Sequence, residues 1–145
     1  ETYNTGTNED GMNKTIALLK KDFTGLCFVN LVEFDSEFGH RRNPKGYAKC
    51  LEEFDVQLGE FISKMREDDL LMITADHGND PIHRGSDHTR EMVPLLIYSP
   101  SINKGRELKN MKSFACIGRT IAKNFNLEKE STQIGELINE VLNDE

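Results

Sequence analysis

Leu70-Leu71-Met72-Ile73-Thr74-Ala75-Asp76-His77-Gly78-Asn79-Asp80-Pro81 runs from consecutive apolar residues into an acid, an imidazole and a turn. A short apolar run closed by Gly and Pro reads as a buried strand, here Asp69 to Ala75, that delivers Asp76 and His77 at its carboxyl end. Upstream, Asn43 and Pro44 form a cap and first-turn pair. Behind them Tyr47, Leu51, Phe54, Leu58, Phe61, Ile62 and Met65 fall on one helical stripe, predicting a helix of about six turns that runs out near Arg66. Before that helix, Gly25 to Phe34 is nearly continuous in apolar and β-preferring residues, as in a strand covered on both faces, and it delivers Asp35. Strand, long helix, strand is a parallel crossover unit.

Downstream, Gly78 to Met92 is polar and without period, and a loop of that length is usually functional. Val93 to Ser99 follows as a third strand, and since no helix separates it from the second, an antiparallel edge position is open to it. Met12, Ile16 and Leu19 predict a helix over Asp10 to Lys21, capped by Asn8 or Asp10. Phe114, Ile117, Ile121, Ala122 and Phe125, then Ile134, Leu137, Ile138, Val141 and Leu142, predict two further amphipathic helices. The expected class is α/β, a layered sheet of mostly parallel strands with helices on both faces.

The 145 residues are 37% hydrophobic and 30% charged, which fits one ordinary globular domain. Eighteen Lys and Arg stand against 25 Asp and Glu, a formal charge of −7, so no broad basic surface exists for a nucleic acid. No apolar run approaches the roughly 20 residues that cross a bilayer, and no export signal is visible. Cys27, Cys50 and Cys116 are far apart and form no Cys-x-x-Cys pair, so they read as reduced thiols of a cytoplasmic protein.

In open α/β sheets the carboxyl ends of the strands face the ligand crevice, which makes Asp35 and Asp76 near neighbours. His40, His77 and His88 converge on the same edge. Two carboxylates and three imidazoles suit Mn²⁺ or Zn²⁺ better than Mg²⁺ or Ca²⁺. Five ligands exceed one tetrahedral ion and suggest two, the arrangement that clamps the attacking and leaving oxygens of a phosphoryl displacement. Arg41 and Arg42, beside His40, are candidates to grip a phosphate bidentately. His83 stays outside this set as a surface loop histidine, and Arg84 and Arg90 have weaker claims.

Three runs then resemble a known family. Phe34-Asp35-Ser36-Glu37-Phe38-Gly39-His40-Arg41-Arg42, Thr74 to Pro81, and Gly85-Ser86-Asp87-His88-Thr89-Arg90-Glu91 with Val93-Pro94-Leu95-Leu96 are similar to the phosphopentomutases, a family of the alkaline phosphatase superfamily. The match extends from about Gly6 to the C-terminus. The resemblance implies two Mn²⁺ and interconversion of the 1- and 5-phosphates of ribose or deoxyribose. It assigns Asp35, His40 and His88 to one ion and Asp76 with His77 to the other. It also implies that residues 1–145 are the C-terminal half of the metal-binding core domain. The N-terminal core strand, the inserted cap domain and the nucleophilic Thr would then lie in a missing N-terminal part of the same protein, without which this piece is inactive. No Thr here occupies the nucleophile's motif, so Thr74 and Thr89 are not promoted to that role. The rival readings are another enzyme of the superfamily, a phosphoglycerate mutase or a phosphodiesterase, and a non-catalytic metal-binding module.

Overall fold

A computed structural model describes residues 1–102, 104–127 and 134–142. They divide into two compact units, Glu1–Asn103 and Lys104–Glu145.

In the first unit, helix α1 spans Asn8–Leu18 and is capped by Thr7, whose hydroxyl accepts from Asp10 N at 3.1 Å. The helix starts earlier than its apolar spacing suggested because Asn8 and Asp10 are engaged elsewhere. The Asn8 side chain accepts from Glu33 N at 3.1 Å and donates to Cys50 Sγ at 3.4 Å, and Asp10 pairs with Lys14 at 2.8 Å. Helix α2 spans Pro44–Ile62, with Asn43 Oδ1 accepting from Gly46 N at 3.0 Å. Its Tyr47 and Phe54 pack on Phe34, with ring centroids 5.7 and 6.1 Å apart. Burial pushes the Tyr47 hydroxyl above its ordinary pKa, and it does the same to the Cys50 thiol.

Strands β1 (Leu71–Thr74) and β2 (Leu95–Tyr98) pair antiparallel, Leu71 opposite Tyr98 and Thr74 opposite Leu95. The third predicted strand therefore takes the antiparallel option. The first predicted strand is corrected. Residues 26–31 carry no ladder among the described residues, and Leu26, Phe28 and Val32 are exposed, Phe28 by 85%. A run coded for burial on both faces has no strand here to bond to, and an isolated strand cannot hold itself in water. Its last residue, Phe34, is instead wound into a π-helical turn, Phe34–Gly39. The structure is thus mixed helix and strand, with one two-stranded antiparallel ribbon as its described sheet.

In the second unit, α3 spans Ala115–Asn124, as its apolar period predicted. The last predicted helix is corrected: within 134–142 there is a single 3-10 turn, Asn139–Val141. Tertiary bonds outcompete the helix there. Ile138, fully buried, donates its N–H to Thr120 Oγ1 at 3.0 Å, and Arg119 donates to Gly135 O at 2.6 Å. Gly135 itself sits at φ +104 against the Ala115–Cys116 backbone, which only Gly tolerates. Residues 128–133 and 143–145, between and beyond these segments, lie outside the described residues. Lys109 holds the Glu136 carboxyl below the usual range through a hydrogen bond.

Thr120 is 1% exposed, and its hydroxyl also donates to Cys116 O at 2.7 Å. Thr120→Val keeps the shape and strands the Ile138 N–H. The expected loss is about 1–3 kcal/mol in urea unfolding of the full-length protein, and a variant as stable as the parent would show this bond to be idle.

Among the described residues no helix is long and apolar enough to cross a membrane.

Candidate metal centre

The site is built on the π-helical turn. Its wide backbone bonds, His40 N to Asp35 O at 2.9 Å and Asn43 N to Phe38 O at 3.0 Å, span five residues. They bring the side chains of Asp35 and His40 together, with His40 Nε2 lying 3.3 Å from Asp35 Oδ2. His40 Nδ1 bonds the carbonyl of Ser86. A carbonyl only accepts, so Nδ1 carries a proton there, and Nε2 is the nitrogen left facing the carboxylate and available as a ligand.

His88 arrives from the long loop. Its Nε2 is 3.1 Å from His40 Nε2 and 3.4 Å from Asp35 Oδ1. Asp35, His40 and His88 thus offer one donor atom each within 4.8 Å of one another. Donors held about 2.1 Å from one centre, at angles between octahedral and tetrahedral, lie about 3.0–3.4 Å apart. The two imidazole nitrogens, 3.1 Å apart, meet that requirement; each faces a different carboxylate oxygen, His40 Nε2 at 3.3 Å from Oδ2 and His88 Nε2 at 3.4 Å from Oδ1, and one carboxylate with two imidazoles is a donor set for a borderline divalent ion.

The other two predicted ligands stand beside this triad. The His77 ring stacks on His88, centroids 3.6 Å apart at 16°. Its Nδ1 bonds Gly78 O at 3.1 Å, leaving Nε2 as the open nitrogen, 3.6 Å from Asp76 Oδ1. Asp76 is otherwise in solvent, its side chain 86% exposed. The three imidazoles and Asp35 are gathered in one place, with Asp76 at the margin.

The loop is fastened at its base. Gly78 and Thr89 form an antiparallel bridge, and Asp80 N donates to Thr89 Oγ1 at 2.6 Å. Thr89 Oγ1 in turn donates to Glu91, so this hydroxyl serves the loop.

The two candidate arginines are placed differently. Arg42, at φ 50, donates Nε to Gly85 O, Nη1 to Asn79 Oδ1 and Asp80 O at 3.0 and 2.6 Å, and Nη2 to Asp87 O. Four of the five guanidinium N–H groups are thereby engaged by the loop, which leaves no free fork for a phosphate. Arg41 makes a two-pronged pair with Glu37 at 2.9 and 3.1 Å, and its side chain is 66% exposed. Asn79 is the residue that the sequence reading passed over: its Nδ2 donates to Asp35 Oδ1 at 2.9 Å. An amide next to Asp76-His77-Gly78 is the signal that could have drawn attention to it.

With that geometry in hand, comparison with known proteins places the chain. Residues 1–129 match the metalloenzyme superfamily. The chain belongs to the metalloenzyme superfamily. Two curated relatives are phosphopentomutases of Clostridium perfringens, from strain 13 and strain SM101, 58% and 57% identical over 128 residues, which are 88% of this chain. The chain spans about a third of the length of these relatives, 32% in each case.

Proposed function

We propose that the full-length protein is a phosphopentomutase, interconverting the 1- and 5-phosphates of ribose or deoxyribose. The observation that carries this reading is the 58% identity to a phosphopentomutase over a segment that includes every ligand candidate. The triad spacing supports it independently, because metal-assisted phosphoryl transfer needs donors already gathered.

Asp35, His40 and His88 would hold one ion, and His77 with Asp76 would contribute to the second; we take both as Mn²⁺. Bound divalent ions supply charge neutralisation and polarisation of the phosphoryl oxygens during in-line transfer. The chain's own share is orientation. The Nδ1 bonds of His40 and His77 turn their Nε2 atoms outward, and the fastened loop holds His88 over Asp35. Arg41 is the cation available to a substrate phosphate, since an exposed ion pair such as Arg41–Glu37 is weak and exchangeable.

The nucleophile and the sugar-binding cap belong, on this reading, to the remainder of the protein, and residues 1–145 to the C-terminal half of its core domain. The largely exposed run at 26–30 fits that placement: an apolar segment outside any ladder suits a central strand of a mostly parallel layered sheet. A cytoplasmic location follows from the pentose phosphate substrate.

The test is substrate choice by the full-length, Mn²⁺-loaded protein. Turnover of ribose 5-phosphate to the 1-phosphate is expected, with no turnover of 3-phosphoglycerate. Activity on the glycerate alone would transfer the chain to the phosphoglycerate mutases, and absence of both activities in a metal-loaded protein would favour a non-catalytic module.

A further inference from the structure

We propose that Arg42 and Asn79 form a positioning relay that aims the Asp35 carboxylate and the His88 loop at the ion; the inference rests on the metal-centre reading above. The relay is legible bond by bond. The Asn79 amide has one acceptor end and one donor end. Arg42 Nη1, which can only donate, fixes the acceptor end at 3.0 Å, so the NH₂ end must face Asp35 Oδ1, at 2.9 Å. A bond from the amide orients the carboxylate and leaves Oδ2 facing His40.

The same guanidinium gathers the carbonyls of Asp80, Gly85 and Asp87, the segment that leads directly into His88. One side chain therefore sets two ligands, Asp35 through the amide and His88 through the backbone before it. Space has been made for the arrangement as well. A Cβ on Gly39 would come within 2.2 Å of Asn79 Nδ2 and 3.0 Å of its Cγ, so the turn leaves a gap that the amide fills. Residues that orient metal ligands from behind commonly change metal affinity by about 10–100-fold when removed.

The experiment is Mn²⁺ titration, read by electron paramagnetic resonance, of the full-length protein stripped of metal, carried out on Asn79→Ala, Arg42→Lys and the double variant. Lys keeps the charge of Arg42 and loses its fork. Each single variant is expected to raise Kd about 10-fold or more, with the double variant no weaker than about the weaker single one, since both cut one relay. The melting temperature of metal-free Asn79→Ala, which loses only its bonds to Arg42 and Asp35, should move far less than its Mn²⁺ affinity, while Arg42→Lys, which loses several loop bonds, is expected to lower it as well. Either single variant binding Mn²⁺ like the parent overturns the relay, as do fully multiplicative effects. Should Arg42→Lys fail to accumulate, Asn79→Ala decides alone. Asp35→Ala in the same titration separates the two readings. If it leaves Kd unchanged, the metal centre itself is misplaced; if it weakens binding while Asn79→Ala does not, the relay alone falls.

Discussion

On the proposed function, Asp35→Ala in the full-length protein is expected to lose the ion at the triad and to reduce the proposed mutase turnover by about 10³-fold or more, the equivalent of several kcal/mol of lost charge stabilisation. The size follows from where Asp35 sits. Its two oxygens face both imidazoles, Oδ2 at 3.3 Å from His40 and Oδ1 at 3.4 Å from His88, and it is the only anion in the triad. Removing either histidine leaves a carboxylate and an imidazole to retain a cation, whereas removing Asp35 leaves two neutral nitrogens 3.1 Å apart. Asp35→Ala should therefore exceed His88→Ala in effect. Equal turnover by Asp35→Ala and the parent at saturating Mn²⁺ would remove the triad from the mechanism. Asp76→Ala, at the exposed margin, makes a useful comparison in the same assay.

Gly78→Ala should be among the most damaging small substitutions near the site. A Cβ there would stand 2.7 Å from Glu91 N and 2.8 Å from Glu91 O, and backbone atoms cannot swing aside as a side-chain tip does. The Gly78–Thr89 bridge would have to part, taking with it the Asp80–Thr89 bond and the residue next to His88. We expect a loss of about 1–3 kcal/mol in denaturant unfolding, as for other overpacked sites, accompanied by weaker Mn²⁺ binding. Gly59→Ala is the control. It lies inside α2 with nothing within 4 Å of the added methyl, and it should be neutral or stabilising by about 0.5–1 kcal/mol. Matching stabilities for the two variants would show that the bridge does not constrain the loop.

The helices and the ribbon were legible where local signals and tertiary context agree. Pro44 behind Asn43 marked the start of α2, and Tyr47 and Phe54 on its stripe meet Phe34. Leu71–Thr74 and Leu95–Tyr98 fall inside their predicted runs, trimmed at the ends where pairing stops. Gly25 to Phe34 forms no strand among the described residues because apolar composition states a demand for neighbours without supplying them. Ile134 to Leu142 failed for the opposite reason: Gly135 and the buried Ile138–Thr120 bond impose a path that apolar spacing does not encode. In the site, residue type and chain order pointed to Asp35, His40, His77 and His88 together, but Asp35 and His40 meet through the π-helical turn and not at a strand end. Charge alone did not give the direction of Arg42, since a guanidinium serves a backbone carbonyl as readily as a phosphate, and an uncharged Asn79 left no electrostatic trace.

The wide turn carries Asp35 and His40 together, while His88 reaches His40 across 48 residues of chain. Half of the cradle is thus available as soon as a few local bonds form, and the other half waits on a long-range closure whose entropic cost must be met by α2 and the ribbon. A cation that needs all three donors therefore finds them together only after that closure.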